Sequence, residues 1–284
     1  SAASPPAAVA STPTGSTAAG RGDVAARRNP GRVVAYFAAS YRRTWRGSVV
    51  TSFLNPLLYL LAMGVGLGTL VDHGSDASKA LDGVAYLSFL APGMLAATAM
   101  QTAAAESTYP VMGAIKWLRT YFGMLATPLE VSDLVVGHLA WVTIRLTMVS
   151  AVFLAVMAGF GVIESAWAIL ALPAAVLTGL AFAAPIAAFA ATRENDTAFA
   201  ALFRFGVIPM FLFSGTFFPV SQLPVALRPV AWATPLWHGV ELCRTLTLGT
   251  AGAGPSAGHV AYLAAWAAAG LAVALRTHRK RLVV

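Results

Sequence analysis

The chain has 284 residues, of which 58% are hydrophobic and only 11% are charged, and its mean hydropathy is positive. This composition excludes an ordinary soluble globular domain and indicates an integral membrane protein. The net charge of +8 comes mainly from basic clusters near the two ends of the chain, a distribution typical of cytoplasmic termini and not of a nucleic-acid-binding face, so no nucleic acid partner is expected.

Residues 1–30 consist mostly of Ala, Ser, Thr, Pro and Gly without apolar periodicity. Such a segment buries too little apolar surface to offset the entropy cost of ordering, so we predict a disordered cytoplasmic tail. It is not expected to be a signal peptide, because no apolar core of suitable length follows a charged start.

The next segment, 31–48, places Val33, Phe37, Tyr41 and Trp45 four positions apart, with arginines on most of the remaining surface. This pattern predicts an amphipathic helix lying in the membrane interface, with its aromatic residues at the headgroup boundary.

Six apolar segments follow, each long enough to cross about 30 Å of hydrocarbon as a helix. They lie near 52–71, 84–105, 134–159, 166–190, 198–217 and 258–276. The predicted fold is therefore an all-α integral membrane protein whose six-span domain covers 49–284.

Loop charges assign the two sides of the membrane. The loop with Asp72, Asp76 and Asp82 is placed outside, whereas the loops with Lys116 and Arg193 and both termini are placed in the cytoplasm. This arrangement makes the segment between spans five and six external. It also predicts a multi-pass membrane protein. The Ala-rich, Lys-poor composition indicates a bacterial source, so the expected location is the bacterial cytoplasmic membrane.

Motifs for catalysis or cofactor binding are missing from the sequence. No GxxxxGK[ST] phosphate-binding loop and no HExxH zinc motif occurs, and the GxSxG at 254–258 lacks the preceding strand of a nucleophile elbow. The histidines are too scattered for two to share a helical turn, so we expect no metal site, no catalytic residue and no bound cofactor. They are His73, His138, His238, His259 and His278.

The predicted cytoplasmic loop 107–133 is longer than a simple turn requires. Its aromatic and basic residues stand between Pro110 and Pro128. The pattern fits a short amphipathic helix that offers a knob to a partner protein, and it fits equally well a connector that lies on the membrane surface.

Charged residues inside apolar segments are costly and therefore candidates for function. Arg145 of the third span and Glu106 at the end of the second are expected on the same side, where they can form a pair. Pairing or snorkelling near the interface is the favoured interpretation over contact with a substrate.

The external segment 217–245 combines several prolines with large apolar side chains. The prolines disfavour one continuous spanning helix, and the apolar residues disfavour a solvated loop. Short re-entrant helices in the outer leaflet satisfy both constraints, with the polar side chains of His238, Glu241 and Arg244 reaching headgroups, water or each other.

At this point the sequence resembles a known family. The run SGTFFPVSQLP, followed after ten residues by PLWHGVELCR, is similar to the signature of ABC-2 type transporter permeases. Within that family the chain resembles the branch of the nodulation lipo-oligosaccharide exporter permease and the daunorubicin resistance permease. The segment FLNPLLYLLAMGVGLG and the ATPLE of loop 107–133 extend the resemblance over most of the chain.

The resemblance implies a permease subunit that pairs with a second one, identical or different, and binds a separate cytoplasmic ATPase that holds ATP and Mg. It also implies outward transport. Because the apolar helices carry few fixed charges, the expected cargo is amphipathic: a lipid-linked glycan, a glycolipid or a hydrophobic drug. The expected ATPase contacts are Lys116, Trp117, Arg119, Arg42, Arg43, Trp45 and Arg46. The expected outer cap contains Pro219, Pro224, Pro235, His238, Glu241 and Arg244.

Two other classes of function remain open. An intramembrane enzyme would need polar groups that meet at one depth, and His138 with Arg145 is the nearest such pair in the sequence. An ion-coupled secondary transporter would need carboxylates within the spans, yet the acidic residues lie at segment ends or in loops.

Overall fold

The computed structural model describes residues 29–67 and 84–283. Nearly all of the predicted disordered tail, and the acidic loop with Asp72, Asp76 and Asp82, lie outside the described residues. Every regular element within these two ranges is helical, in agreement with the predicted all-α fold.

The helices follow one another in a simple order along the chain. They are α1 (Pro30–Tyr59), α2 (Tyr86–Ser107), α3 (Tyr109–Met112), α4 (Thr120–Leu125), α5 (Val131–Gly159), α6 (Ala171–Ala191), α7 (Thr197–Ala201), α8 (Ile208–Phe213), α9 (Arg228–Trp232), α10 (Pro235–Leu248) and α11 (Ala253–Leu282). Wider π-helical turns extend α1 over Leu60–Leu67, follow α3 over Gly113–Trp117 and join α7 to α8 over Leu202–Val207. Short 3-10 turns precede α6 at Ala166–Leu170 and α9 at Val220–Gln222.

The first helix is longer than predicted. It continues past residue 48 without a break, so the predicted interfacial helix and the start of the first span are parts of one helix. Part of its apolar stripe packs against α5: Val33 contacts the Gly137 position, and Phe37 and Tyr41 lie 6.2 and 5.6 Å from Trp141 between ring centroids. Trp45, in the same stripe, is exposed.

Three helical segments among the described residues are long and apolar enough to cross a membrane: Val131–Gly159, Ala166–Ala191 and Ala253–Leu282. They coincide with the third, fourth and sixth predicted spans. The fifth prediction corresponds to a shorter apolar helix, Thr197–Phe213. The second coincides with α2, which has 22 residues.

Helix α6 is the centre of the bundle and packs against α2, α5, α10 and α11. Small residues let these helices approach closely, as is common in membranes, where apolar burial between helices adds little driving force. A Cβ on Gly239 of α10 would lie only 2.3 Å from the Thr178 hydroxyl of α6, and one on Gly270 of α11 would lie 2.5 Å from the Pro185 ring.

The described loops between the helices contact one another at two places. Glu194, just after α6, bridges Lys116 and Arg281 of α11, so the loop after α2, the loop after α6 and the C-terminal end of the chain meet. At the other region the backbone N–H of Glu164 donates to the Thr247 carbonyl near the end of α10. The loops that the sequence places in the cytoplasm thus lie together.

Candidate functional site

The segment after α2 folds into two short helices, α3 and α4, with a sharp reversal between them. Arg119 has a φ of 51°, a left-handed conformation that few residues other than glycine adopt readily, and it turns the chain at this point. Just before the turn, the Trp117 and Leu118 side chains are 59% and 73% exposed. The segment therefore presents an apolar tip next to a basic residue.

Buried residues hold this tip in place. Val111, Met112 and Ile115 are buried, and α3 packs against the central helix α6. On α4, Tyr121 is buried with its ring centroid 6.3 Å from that of His278 on α11. The tip is thus attached to the bundle core and is not a free loop.

An ion-pair cluster, here named the Glu194 clamp and formed by Lys116, Glu194 and Arg281, joins the tip to the end of α11. The Lys116 Nζ lies 3.0 Å from Oε2 of Glu194, and Arg281 binds the other carboxylate oxygen. These hydrogen bonds, first from Arg281 and then from Lys116, lower the pKa of Glu194 from 4.5 to about 2. Lys116, predicted as an ATPase contact, is therefore engaged within the chain.

The basic and aromatic residues predicted as contacts on α1 are exposed. Arg42 and Arg43 point to the surface, and Arg46 lies over the exposed Trp45 ring with 5.9 Å between its guanidinium carbon and the ring centroid. The opposite side of α1 faces a cavity of about 320 Å³ that it shares with α2, α5 and the tip.

The predicted pairing of Arg145 with Glu106 is confirmed. The Arg145 Nε lies 3.0 Å from Oε1 of Glu106, and its guanidinium carbon lies 4.5 Å from the Tyr41 ring centroid. The pair therefore joins α5 to α2 and to α1, at one wall of the 320 Å³ cavity.

The predicted outer cap contains one long buried helix. Helix α10 begins after Thr234, whose side-chain oxygen accepts from the Trp237 backbone N–H at 3.3 Å, with Pro235 in the first turn. Its inner face is fully buried and packs against α2, α6 and α11. The other two predicted prolines stand at turns: Pro219 precedes the 3-10 turn, and the Pro224 carbonyl accepts from the Leu227 N–H.

Arg244 of α10 is turned into the protein, whereas the sequence allowed it to reach headgroups. Its Nη2 donates to the Gly215 carbonyl at 2.7 Å, and its Nε donates to the Phe89 carbonyl at 3.2 Å. The third donor, Nη1, lies 3.4 Å from the Glu241 carboxylate. One side chain thus ties α10 to the start of α2 and to the turn after α8.

The structure also brings together two histidines that the sequence analysis kept apart. His238 and His259, on α10 and α11, place their Nδ1 atoms 2.8 Å from each other. Because they belong to two different helices, the spacing of residues within one helix could not predict that they meet. The described ranges contain no group of three or more His, Cys, Asp or Glu side chains arranged to hold a metal ion.

Comparisons with known proteins place this chain in a family. A family model described as ABC-2 type transporter matches residues 32–248, from the start of α1 to the end of α10. The chain is 34% identical over 210 residues to Nodulation protein J of Rhizobium leguminosarum bv. viciae, covering 74% of this chain and 78% of the relative. It is 32% identical over 211 residues to Nodulation protein J of Rhizobium meliloti, covering 74% and 78%, and 29% identical over 244 residues to that of Bradyrhizobium diazoefficiens, covering 86% and 90%.

Proposed function

Because the chain belongs to the ABC-2 type transporter family, we propose that it is the six-span permease subunit of an ATP-driven exporter in the bacterial cytoplasmic membrane. A separate ATPase subunit holds ATP and Mg, while this chain forms the path for the cargo. Both termini are cytoplasmic in this proposal, and the segment 217–245 is a re-entrant outer cap.

The observation that carries the proposal is the apolar tip at Trp117 and Leu118. Large apolar side chains that are exposed together on a segment packed against the bundle are typical of protein-binding and membrane-binding surfaces. Arg119 adds a positive charge beside them, which suits a partner with an acidic or carbonyl-lined groove. We assign this tip to the contact with the ATPase, together with the exposed Arg42, Arg43, Trp45 and Arg46 of α1.

Packing behind the tip supports a mechanical role. A displacement of the tip acts on α6 through α3 and on α11 through the Glu194 clamp. Since α6 also contacts α2, α5 and α10, movement at the tip reaches the outer cap through packed helices.

The cargo in this proposal is amphipathic: a lipid-linked glycan, a glycolipid or a hydrophobic drug. Helix α11 exposes Val260, Trp266 and Val273, and few fixed charges interrupt its surface above the C-terminal turns. Such a surface suits lipid, a second permease subunit, identical or different, and cargo with long apolar groups.

Co-purification tests the tip directly. We expect Leu118→Asp to abolish recovery of an ATPase with a phosphate-binding loop, because the charge would be buried in the contact. The matched control is Val225→Asp, since Val225 is 74% exposed but lies in the segment 217–245. It should retain the ATPase.

Arg119→Glu changes the proposed ATPase contact without removing an ion pair of the Glu194 clamp. Lys116→Glu would also break the ion pair with Glu194, so its effect on stability could not be told from its effect on the contact. ATP-driven transport by proteoliposomes of the Arg119→Glu complex should fall while the thermal unfolding of the permease stays unchanged. Transport that persists after ATP depletion, or retention of the ATPase by Leu118→Asp, would contradict the proposal.

A further inference from the structure

Two imidazole rings meet between α10 and α11 with their Nδ1 atoms facing each other. The 2.8 Å separation of the His238 and His259 Nδ1 atoms allows a single N–H···N hydrogen bond, in which one ring donates and the other accepts. Both side chains are half-buried, so the pair can be reached from outside the bundle.

Aromatic neighbours fix both rings in this orientation. His238 stacks on Tyr262 with 3.9 Å between centroids and 21° between planes. Trp237 lies edge-on to both imidazoles, at 4.9 Å from His238 and 5.3 Å from His259. The Tyr262 hydroxyl in turn donates to the Ala233 carbonyl, which anchors the stack to the chain just before α10. Packing therefore keeps the two nitrogens close together.

We infer that His238 and His259 bind a divalent transition metal ion of the zinc type through their Nδ1 atoms, bridging α10 to α11. Imidazole nitrogen is a preferred ligand of Zn²⁺, Cu²⁺ and Ni²⁺. Two nitrogens bound to tetrahedral zinc at about 2.0–2.1 Å stand about 3.3 Å apart, so the rings need to separate by about 0.5 Å. They also need to turn, so that both Nδ1 lone pairs point at the metal ion instead of at each other. The proton shared between the two rings moves to Nε2 of the ring that carried it, and both histidines bind in the neutral form.

The remaining ligands are water, since no third His, Cys, Asp or Glu side chain of the described ranges is placed to complete the site. Glu241 follows His238 by three positions, about one turn, on α10. Its carboxylate also contacts Arg244 at 3.4 Å, longer than a strong ion-pair hydrogen bond. It can therefore help to neutralise the charge of a bound cation without breaking a tight contact.

A metal at this position would clamp the hairpin of α10 and α11. The two helices are joined only by a short turn after Gly249, and the histidines lie about three turns from it along α10. A bond across the hairpin at that distance restrains any separation of α10 from α11. The proposal does not depend on the ATPase or on the identity of the cargo.

Direct metal binding to the purified permease tests the site. The protein should carry no polyhistidine tag and should be freed of metal with a chelator before titration with ZnCl₂ in detergent. We expect one Zn²⁺ per chain in the wild type. His238→Ala and His259→Ala should each weaken binding by more than the roughly 10–100-fold that follows loss of an outer-shell partner.

Two controls separate ligation from folding. Tyr262→Phe keeps the ring against His238 and removes only the hydroxyl, which is not a ligand, so one Zn²⁺ per chain should still bind. Cu²⁺ added to the wild type should give an electron paramagnetic resonance spectrum with hyperfine coupling to two imidazole nitrogens, and His259→Ala should reduce this to one. Zinc binding that is equal in the wild type and in the His238→Ala/His259→Ala double variant, or no binding at submillimolar zinc, would overturn the assignment.

Discussion

Arg244 of α10 lies over the ring of Phe89 in α2, with its guanidinium carbon 3.8 Å from the ring centroid. The same guanidinium donates to the carbonyls of Phe89 and Gly215. Gly93 makes room for this contact, because a Cβ there would lie 3.0 Å from the Thr216 carbonyl oxygen and 3.3 Å from Nη2 of Arg244. A buried charge is tolerated here because three donors and one ring face are all used.

Arg244→Lys should therefore destabilise the protein although it keeps the charge. The lysine ammonium is a point charge on a flexible stem and cannot satisfy two carbonyls and the ring face together. We expect a loss of about 1.5–3 kcal/mol, the range for a hydrogen bond to a charged group. The measurement is the thermal unfolding midpoint in detergent. Arg204→Lys is the control, because Arg204 is exposed, and its midpoint should match the wild type.

Local pattern was sufficient to predict the all-helical fold, three long apolar helices and the pair of Glu106 with Arg145. Continuous apolar runs leave few alternatives to helices in a membrane, and a charge at such a depth needs a partner on the same side. The orientation of the Arg244 side chain could not be predicted in the same way. Its position in the sequence fits both a contact with lipid headgroups and a buried site in the outer cap. Only the packing of α10 against α2 decides between them.

The apolar stripe of α1 shows a second limit of the sequence. A stripe that contains Phe37 and Tyr41 can face headgroups or another helix, since both are apolar environments with a polar edge. The structure pairs it with Trp141. The meeting of His238 with His259 is likewise a product of tertiary packing between two helices, which no spacing within one helix encodes.

Gly239→Ala should disrupt the crossing of α10 over α6. The added methyl group would lie 2.3 Å from Oγ1 and 2.5 Å from Cγ2 of Thr178, closer than any real contact. Overpacking of this kind costs about 1–3 kcal/mol. The unfolding midpoint should fall and should recover in part in Gly239→Ala/Thr178→Ala, which removes both of these atoms.

Gly254→Ala is the matched control for this substitution, because nothing lies within 4 Å of the methyl group that it adds. It should leave the midpoint unchanged. A Gly239→Ala protein as stable as the wild type would show that α10 and α6 are not closely packed in the membrane.

The pair of Arg145 and Glu106 should show energetic coupling in a double-mutant cycle. Glu106→Gln and Arg145→Met each leave one partner without its counter-charge, so the double variant should lose less stability than the sum of the two. The expected coupling is about 0.5–3 kcal/mol. Combining Glu106→Gln with Arg228→Met provides the additive comparison, since Arg228 donates to the Leu223 and Ser221 carbonyls. If the effects of Glu106→Gln and Arg145→Met on stability are also additive, the ion pair does not contribute to stability.

The contribution of the Glu194 clamp to the thermal stability of the protein should depend on pH only in acid, below about pH 4.5. Its hydrogen bonds to Arg281 and Lys116 lower the pKa of Glu194 from 4.5 to about 2. The carboxylate therefore stabilises the folded state fully above pH 4.5, and this contribution is lost as the pH falls from 4.5 towards 2. The difference in unfolding midpoint between the wild type and Glu194→Gln should stay constant from neutral to mildly acidic pH and shrink below 4.5.

Glu164→Gln, at the loop before α6 and away from the clamp, is the control and should show no such change. A difference that already shrinks near neutral pH would mean that Arg281 and Lys116 do not hold Glu194 in the charged form.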